Sequence, residues 1–293
     1  MIGKGSVATE GSGFKKYWGV APVRVVAINP TKEEKEKIMG YEQSSDPVYV
    51  STDENGVKTA NITFLLQTIE EKCGINMFFT ATYFLKNAPM TSQSGKIQVI
   101  DEFGRTAWVT NEQLAMHTTT LTKNDGGTYE ANITKNYRPM YGRDEEFLCS
   151  FIRSWLNIKN PEKYDKITNT WSLIDNASDC QVRLDTVDKM FNGDFSEITS
   201  LMKYDCSDNP FQMLVGIQTT DNGKQYHKVF TQFPMKNFVS DYSKLDKEVK
   251  EAKARGSYPT TEFPETMGMI KEYTVEPTSF EGTATASLPN FFK

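Results

Sequence analysis

The sequence predicts a mixed fold of β with α: a small antiparallel β-barrel or strongly bent sheet, interrupted by helices. Three observations lead there. Residues 14–135 and 210–235 are built of short runs rich in Val, Ile, Thr and aromatics, divided by Gly and Asn turn signals. Between them, apolar residues recur every three or four positions, the spacing of an amphipathic helix. The strand pattern then returns as a hairpin, and an isolated hairpin is marginal without a sheet to join. The helices therefore read as an insertion, with a separate helical domain as the alternative. The expected boundaries are a flexible arm at 1–13, the barrel at 14–142 and 208–240, an acidic helical insertion at 143–207, a helix at 241–255 and a flexible tail at 256–293.

Each element has its own warrant. Residues 1–13 are rich in Gly and Ser, and 17–29 carry the Val and aromatic content of a strand. Thr31 and Glu34 stand at capping-box spacing, with Gly40 as the stop of a short helix. Residues 48–50 and 60–69 read as strands around the tight-turn pair Asn55-Gly56. In 76–86, Met77, Phe79, Ala81, Tyr83 and Leu85 alternate with Phe78, Thr80, Thr82, Phe84 and Lys86, as on a strand with one buried face. Residues 96–101 and 105–110 form a hairpin, and 111–116 add one helical turn. Phe147, Leu148, Phe151, Ile152 and Trp155 give 143–156 a helical stripe; 179–190 and 195–203 are helical too. Residues 211–219 and 224–233 flank the turn Asp221-Asn222-Gly223, and 244–255 is a charged helix.

Composition excludes several classes. The 293 residues contain no run near the ~20 apolar residues of a membrane span, and the first residues lack a signal-peptide stretch, so no membrane association is expected. Cys73, Cys149, Cys180 and Cys206 lie far apart with no C-x-x-C pair. That argues against a zinc ribbon or disulfide scaffold and for a reducing cytoplasm. There is no phosphate-binding G-x-x-x-x-G-K-[ST] loop, no H-E-x-x-H and no G-x-S-x-G elbow. His117 and His227 are the only histidines, and His227 reads as a surface or half-buried strand residue. Asp144-Glu145-Glu146 open a helix, where they serve its dipole. No catalytic residue, metal ligand or cofactor is expected, and the protein is read as a non-enzyme.

Net charge is −5, but it is unevenly distributed. Lys and Arg outnumber Asp and Glu four to one in 1–30, three to none in 135–143 and three to one in 210–240; in 160–209 they are outnumbered ten to five. A local field decides phosphate contact, although a mixed, solvated surface accounts for the same counts. Basic and aromatic residues are also interleaved: Lys15, Lys16, Tyr17 and Trp18 begin the first strand, Arg105 and Trp108 follow the hairpin turn, and Arg138 and Tyr141 precede the insertion. Lys224, Tyr226, Lys228 and Phe230 alternate onto one strand face. Cations for phosphates and flat rings for unpaired bases are what single-stranded nucleic acid requires. Five-stranded Greek-key barrels, the OB-like class, present them on a strand face. Aromatics on strands are as commonly core, with flanking lysines as solvated gatekeepers. Phe79, Tyr83 and Leu85 read as core, as do Trp155 and Trp171 within the insertion, while Trp18, Tyr226 and Phe230 stay open between core and surface.

A resemblance joins these features. Residues 3–17 (Gly-Lys-Gly-Ser-Val-Ala-Thr-Glu-Gly-Ser-Gly-Phe-Lys-Lys-Tyr), residues 97–110 (Ile-Gln-Val-Ile-Asp-Glu-Phe-Gly-Arg-Thr-Ala-Trp-Val-Thr) and the hairpin 215–230 resemble the single-stranded-DNA-binding proteins of crAss-like tailed bacteriophages, over most of the chain to about residue 235. The resemblance implies an OB-like barrel that coats exposed DNA during phage replication or recombination, in the cytoplasm of the bacterial host. It also implies recruitment of replication proteins by a C-terminal tail. Here the tail is only mildly acidic and ends in Leu288-Pro289-Asn290-Phe291-Phe292-Lys293. The zinc site of the T-even phage protein has no matching Cys and His spacing. The alternative expectation is a phage structural or assembly protein without nucleic-acid binding.

Overall fold

The computed structural model describes residues 15–43, 45–101, 106–116, 119–122, 128–131, 137–156, 162–165, 170–173, 187–204, 211–235 and 241–274. In chain order the strands are β1 (Lys15–Ile28), β2 (Val50–Thr52), β3 (Lys58–Thr68), β4 (Phe78–Lys86), β5 (Ile97–Asp101), β6 (Thr106–Val109), β7 (Thr119–Thr122), β8 (Thr128–Ala131), β9 (Tyr137–Pro139), β10 (Glu162–Asp165), β11 (Thr170–Leu173), β12 (Phe211–Thr219), β13 (Gln225–Met235), β14 (Thr261–Glu262) and β15 (Lys271–Thr274). The helices are α1 (Lys32–Met39), α2 (Glu70–Cys73), α3 (Asn111–Ala115), α4 (Arg143–Trp155), α5 (Val187–Met190), α6 (Ser196–Thr199) and α7 (Ser243–Ala254). The architecture is mixed α and β, dominated by antiparallel sheets.

Local chemistry placed many of these elements where the sequence indicated. Thr31 and Glu34 close the capping box of α1, and Gly40 ends it. In β4 the expected apolar face, Phe79, Ala81, Tyr83 and Leu85, is buried, while Thr80, Phe84 and Lys86 are exposed. Thr110 and Gln113 form a second capping box on α3.

The main sheet has eight strands. Its path runs β13-β12-β1-β3, with β4 and β2 on β3, β15 on β1 and β14 on β12. The expected closed barrel is not found: among the described residues no ladder joins β4 to β13, although the two stand in contact. Part of the reason lies at the outer edge of β4. The Phe84 N–H donates to Asp144 Oδ2 (2.9 Å) and the Lys86 N–H to the Tyr141 carbonyl (2.8 Å), so the corner leading into α4 takes hydrogen bonds that a closing strand would need. Helix α4 then packs against both β4 and β13.

Two further expectations are corrected. Residues 143–207 contribute a β10–β11 hairpin as well as helices, and their helices share the sheet's core. Phe151 of α4 lies 4.4 Å from Phe64 of β3 and 5.2 Å from Phe211 of β12, centroid to centroid, and Trp155 lies 5.9 Å from Phe64. Each such fully buried side chain contributes roughly 1.5–3 kcal/mol, so α4 braces the sheet. Strands β6-β5-β9 also leave the main sheet and form their own, around Val99, Ala107, Val109 and Tyr137.

The expected tail is folded as far as Thr274. Leu245 and Val249 of α7, with Met267, cover Val20, Leu214 and Phe230 on one face of the main sheet. Strand β14 pairs with β12 and β15 with β1. Gly19 permits this: its φ is +120°, and a Cβ there would stand 2.9 Å from the Gly268 carbonyl oxygen. Residues 275–293 lie outside the described residues.

Candidate nucleic-acid interface

The structure brings the first basic–aromatic segment beside the last. The Tyr17 backbone N–H donates to His227 Nε2 (2.9 Å), although the two residues lie 210 positions apart. Glu262 of β14 joins the same segments: Lys16 Nζ is 2.8 Å from its Oε2, and Gln225 Nε2 is 3.4 Å from its Oε1. The start of β1 and the start of β13 therefore share one end of the sheet.

On β13 the alternation has the predicted consequence for two residues and a different one for a third. Tyr226 stands opposite Gln218 with its side chain 45 % exposed. Lys228 stands opposite Gly216, half-buried, with Nζ 5.7 Å from the Phe230 ring. Among the described residues no ion pair holds Lys224 or Lys228. Phe230 is fully buried, with its ring 4.7 Å from that of Phe263 and 5.4 Å from that of Tyr258. The base-stacking role expected of Phe230 is therefore corrected to a core role: the folded C-terminal segment covers that stretch of the face. Gly216 belongs to the same contact, because a Cβ there would lie 2.9 Å from the Phe230 ring and from the Glu262 carbonyl oxygen.

His227 points to the opposite face, between the rings of Tyr17 (5.5 Å) and Phe79 (6.5 Å). Burial pushes its pKa down to about 4, so it is neutral near pH 7 and its Nε2 accepts the Tyr17 N–H.

The β1 residues are engaged rather than open. The Lys16 side chain is 12 % exposed in its pair with Glu262, and its Nζ lies 5.6 Å from the Trp18 ring. Tyr17 Oη donates to Glu272 Oε2 (2.8 Å); burial, then the Glu272 carboxylate, pushes its pKa up to about 12. The Trp18 ring lies 4.8 Å from that of Tyr273, and among the described residues its buried Nε1 has no hydrogen-bond partner. Lys15 is in β1 opposite Thr274, and its side chain lies outside the described residues, as does all of Arg105.

The remaining candidates lie on other elements. Trp108 of β6 is 43 % exposed, on the smaller sheet. Arg138 is committed to the interior: it pairs with the fully buried Glu145, which also accepts the Tyr141 N–H (2.7 Å). Its guanidinium carbon lies 5.9 Å from the Tyr141 ring, which meets Phe191 at 5.6 Å. This cluster ties β9 to α4 and holds Arg138 away from a phosphate-binding role. Glu262, Glu272 and Tyr273 adjoin these residues without a sequence signal of their own, because 256–293 lacks a period; Phe263, Met267 and Ile270 are the apolar signal that this stretch packs.

Among the described residues no group of three or more His, Cys, Asp or Glu could hold a metal ion, and no helix is long and apolar enough to cross a membrane. No protein-family model, curated protein or solved structure matches the chain.

Proposed function

We propose that the protein binds single-stranded DNA with little sequence preference and coats exposed strands during phage DNA replication and recombination in the host cytoplasm. The observation that carries this reading is that the basic–aromatic start of β1 and the start of β13 share one end of the sheet, where Tyr226 offers an open ring and, among the described residues, no ion pair holds Lys224 or Lys228. A stacked base contributes about 1–3 kcal/mol, and each phosphate neutralised releases counterions. The resemblance to phage single-stranded-DNA-binding proteins supports the same reading. So does the bent path β13-β12-β1-β3-β4, which we read as an OB-like arrangement whose end strands are in contact but, among the described residues, unpaired. Recruitment of replication proteins by the C-terminal residues belongs to this proposal.

The test is fluorescence anisotropy of a labelled oligo-dT, against duplex of equal length, across a salt series. The single strand is expected to bind more tightly than the duplex, and to weaken as salt rises. Tyr226→Ala should cost about 5–150-fold in affinity, one stacked base. Lys228→Ala should lower the log–log salt slope by about 0.7. Equal binding of duplex and single strand, or no binding at low salt, would refute the proposal.

A further inference from the structure

The four residues of β15 sit on the residues that the proposed single-strand site would use. Lys15–Trp18 pair with Thr274–Lys271 in an antiparallel ladder. Within it, the Glu272 carboxylate takes the Tyr17 hydroxyl and the Tyr273 ring lies 4.8 Å from Trp18. The second contact, on the face of β1 opposite the first, gives Trp18 what an unpaired base would bring: a flat ring. The side chains of Lys271, Glu272 and Tyr273 are exposed, so lifting them sacrifices little apolar burial. The residues before them are anchored: Met267 and Ile270 are buried, and the Val20 N–H donates to the Gly268 carbonyl (2.8 Å) while the Ile270 N–H donates to the Val20 carbonyl (2.9 Å). A hinge after Ile270 would free β15 without unfolding the sheet.

We propose that β15 is a displaceable strap: a single DNA strand lifts Lys271–Thr274 off β1, and Trp18 beneath it becomes a second stacking position in addition to Tyr226. This rests on the single-strand-binding reading and adds regulation to it. The strap and the strand compete for one surface, so each weakens the other by the same factor. Among the described residues the buried Nε1 of Trp18 has no partner, which fits a ring that β15 satisfies incompletely.

Two measurements test this on the full chain. The first is hydrogen–deuterium exchange at 271–274 with and without oligo-dT. Faster exchange on binding is expected, because the strap loses its ladder; unchanged or slower exchange overturns the proposal. The second is oligo-dT affinity of Tyr273→Ala, alone and with Trp18→Ala. The single variant should bind about 2–10-fold tighter, the strength of one aromatic pair, and the added Trp18→Ala should abolish that gain. Wild-type affinity in Tyr273→Ala, or a gain that survives Trp18→Ala, overturns the strap. Binding that depends on Tyr226 but ignores Tyr273 removes the strap and leaves the single-strand site standing. No binding by any variant removes both.

Discussion

His227 shows how one side chain can hold two distant strands in register. Its Nε2 accepts the Tyr17 N–H only while the ring is unprotonated at that nitrogen. Burial lowers its pKa from 6.5 to about 4. Because the folded value is the lower one, the unfolded chain takes up the proton first as pH falls. The contribution to stability is therefore complete above about pH 6.5 and is lost progressively as pH falls toward 4. The shift corresponds to about 3 kcal/mol at most, and to about half that after solvent screening of a partly exposed ring. Urea unfolding at pH 7 and pH 4.5 should show a larger drop for the wild type than for His227→Gln. A second residue-scale prediction concerns Glu145. Glu145→Gln leaves Arg138 without its anionic partner and should cost about 3 kcal/mol in the same assay. Arg138→Ala should likewise lower stability, while oligo-dT affinity at a temperature where the variant is folded stays at the wild-type value.

At the scale of elements, β1 has to change neighbours along its length. Residues 19–23 pair with β12, 23–28 with β3 and 15–18 with β15. Gly19 stands where the strand leaves β12, and its positive φ and the close Gly268 carbonyl exclude a side chain. Gly19→Ala should destabilise the protein by about 1–3 kcal/mol, read from the midpoint of thermal unfolding. It should also raise exchange at 271–274 more than in β3 and β4, because the misfit falls on the C-terminal segment. Helix α4 does the opposite task. Its first turn caps the edge of β4 through Asp144, and its apolar stripe fills the bend of the sheet through Phe151 and Trp155.

Across the whole molecule, one core spans β1, β3, β4, β12, α4, α5 and the turn after α6, with Phe64, Tyr83, Phe151, Trp155 and Phe211 at its centre. The segment 143–207 is thus inserted in sequence but integrated in space. Phe151→Leu should cost about 1–2 kcal/mol and lower the unfolding midpoint seen by near-ultraviolet and far-ultraviolet circular dichroism equally. Two separated transitions would show instead that the insertion melts on its own. The negative total charge does not by itself oppose the proposed function at this scale, because a local field decides phosphate contact and the hairpin carries Lys224 and Lys228 with Asp221.

What the sequence determined by itself is what nearby residues decide. The capping box at Thr31 and Glu34, the two faces of β4, the stripe of α4 and the β12–β13 hairpin all follow from spacings of two to four residues. Basic and aromatic residues at both ends of the site were also legible as types. Only the tertiary structure decided which of them reach solvent. Tyr226 and Phe230 share a strand face by period, yet one is open and the other buried, because Phe263 and Tyr258, some thirty residues later, fold onto only part of that face. Arg138 read as a phosphate ligand until Glu145 took it, and Lys16 until Glu262 did. Among the described residues, part of what leaves the sheet unclosed is decided in the same way, by the corner at 141–144 occupying the edge of β4. Periodicity assigns a side chain to a face; burial and charge pairing depend on what the rest of the chain lays over it.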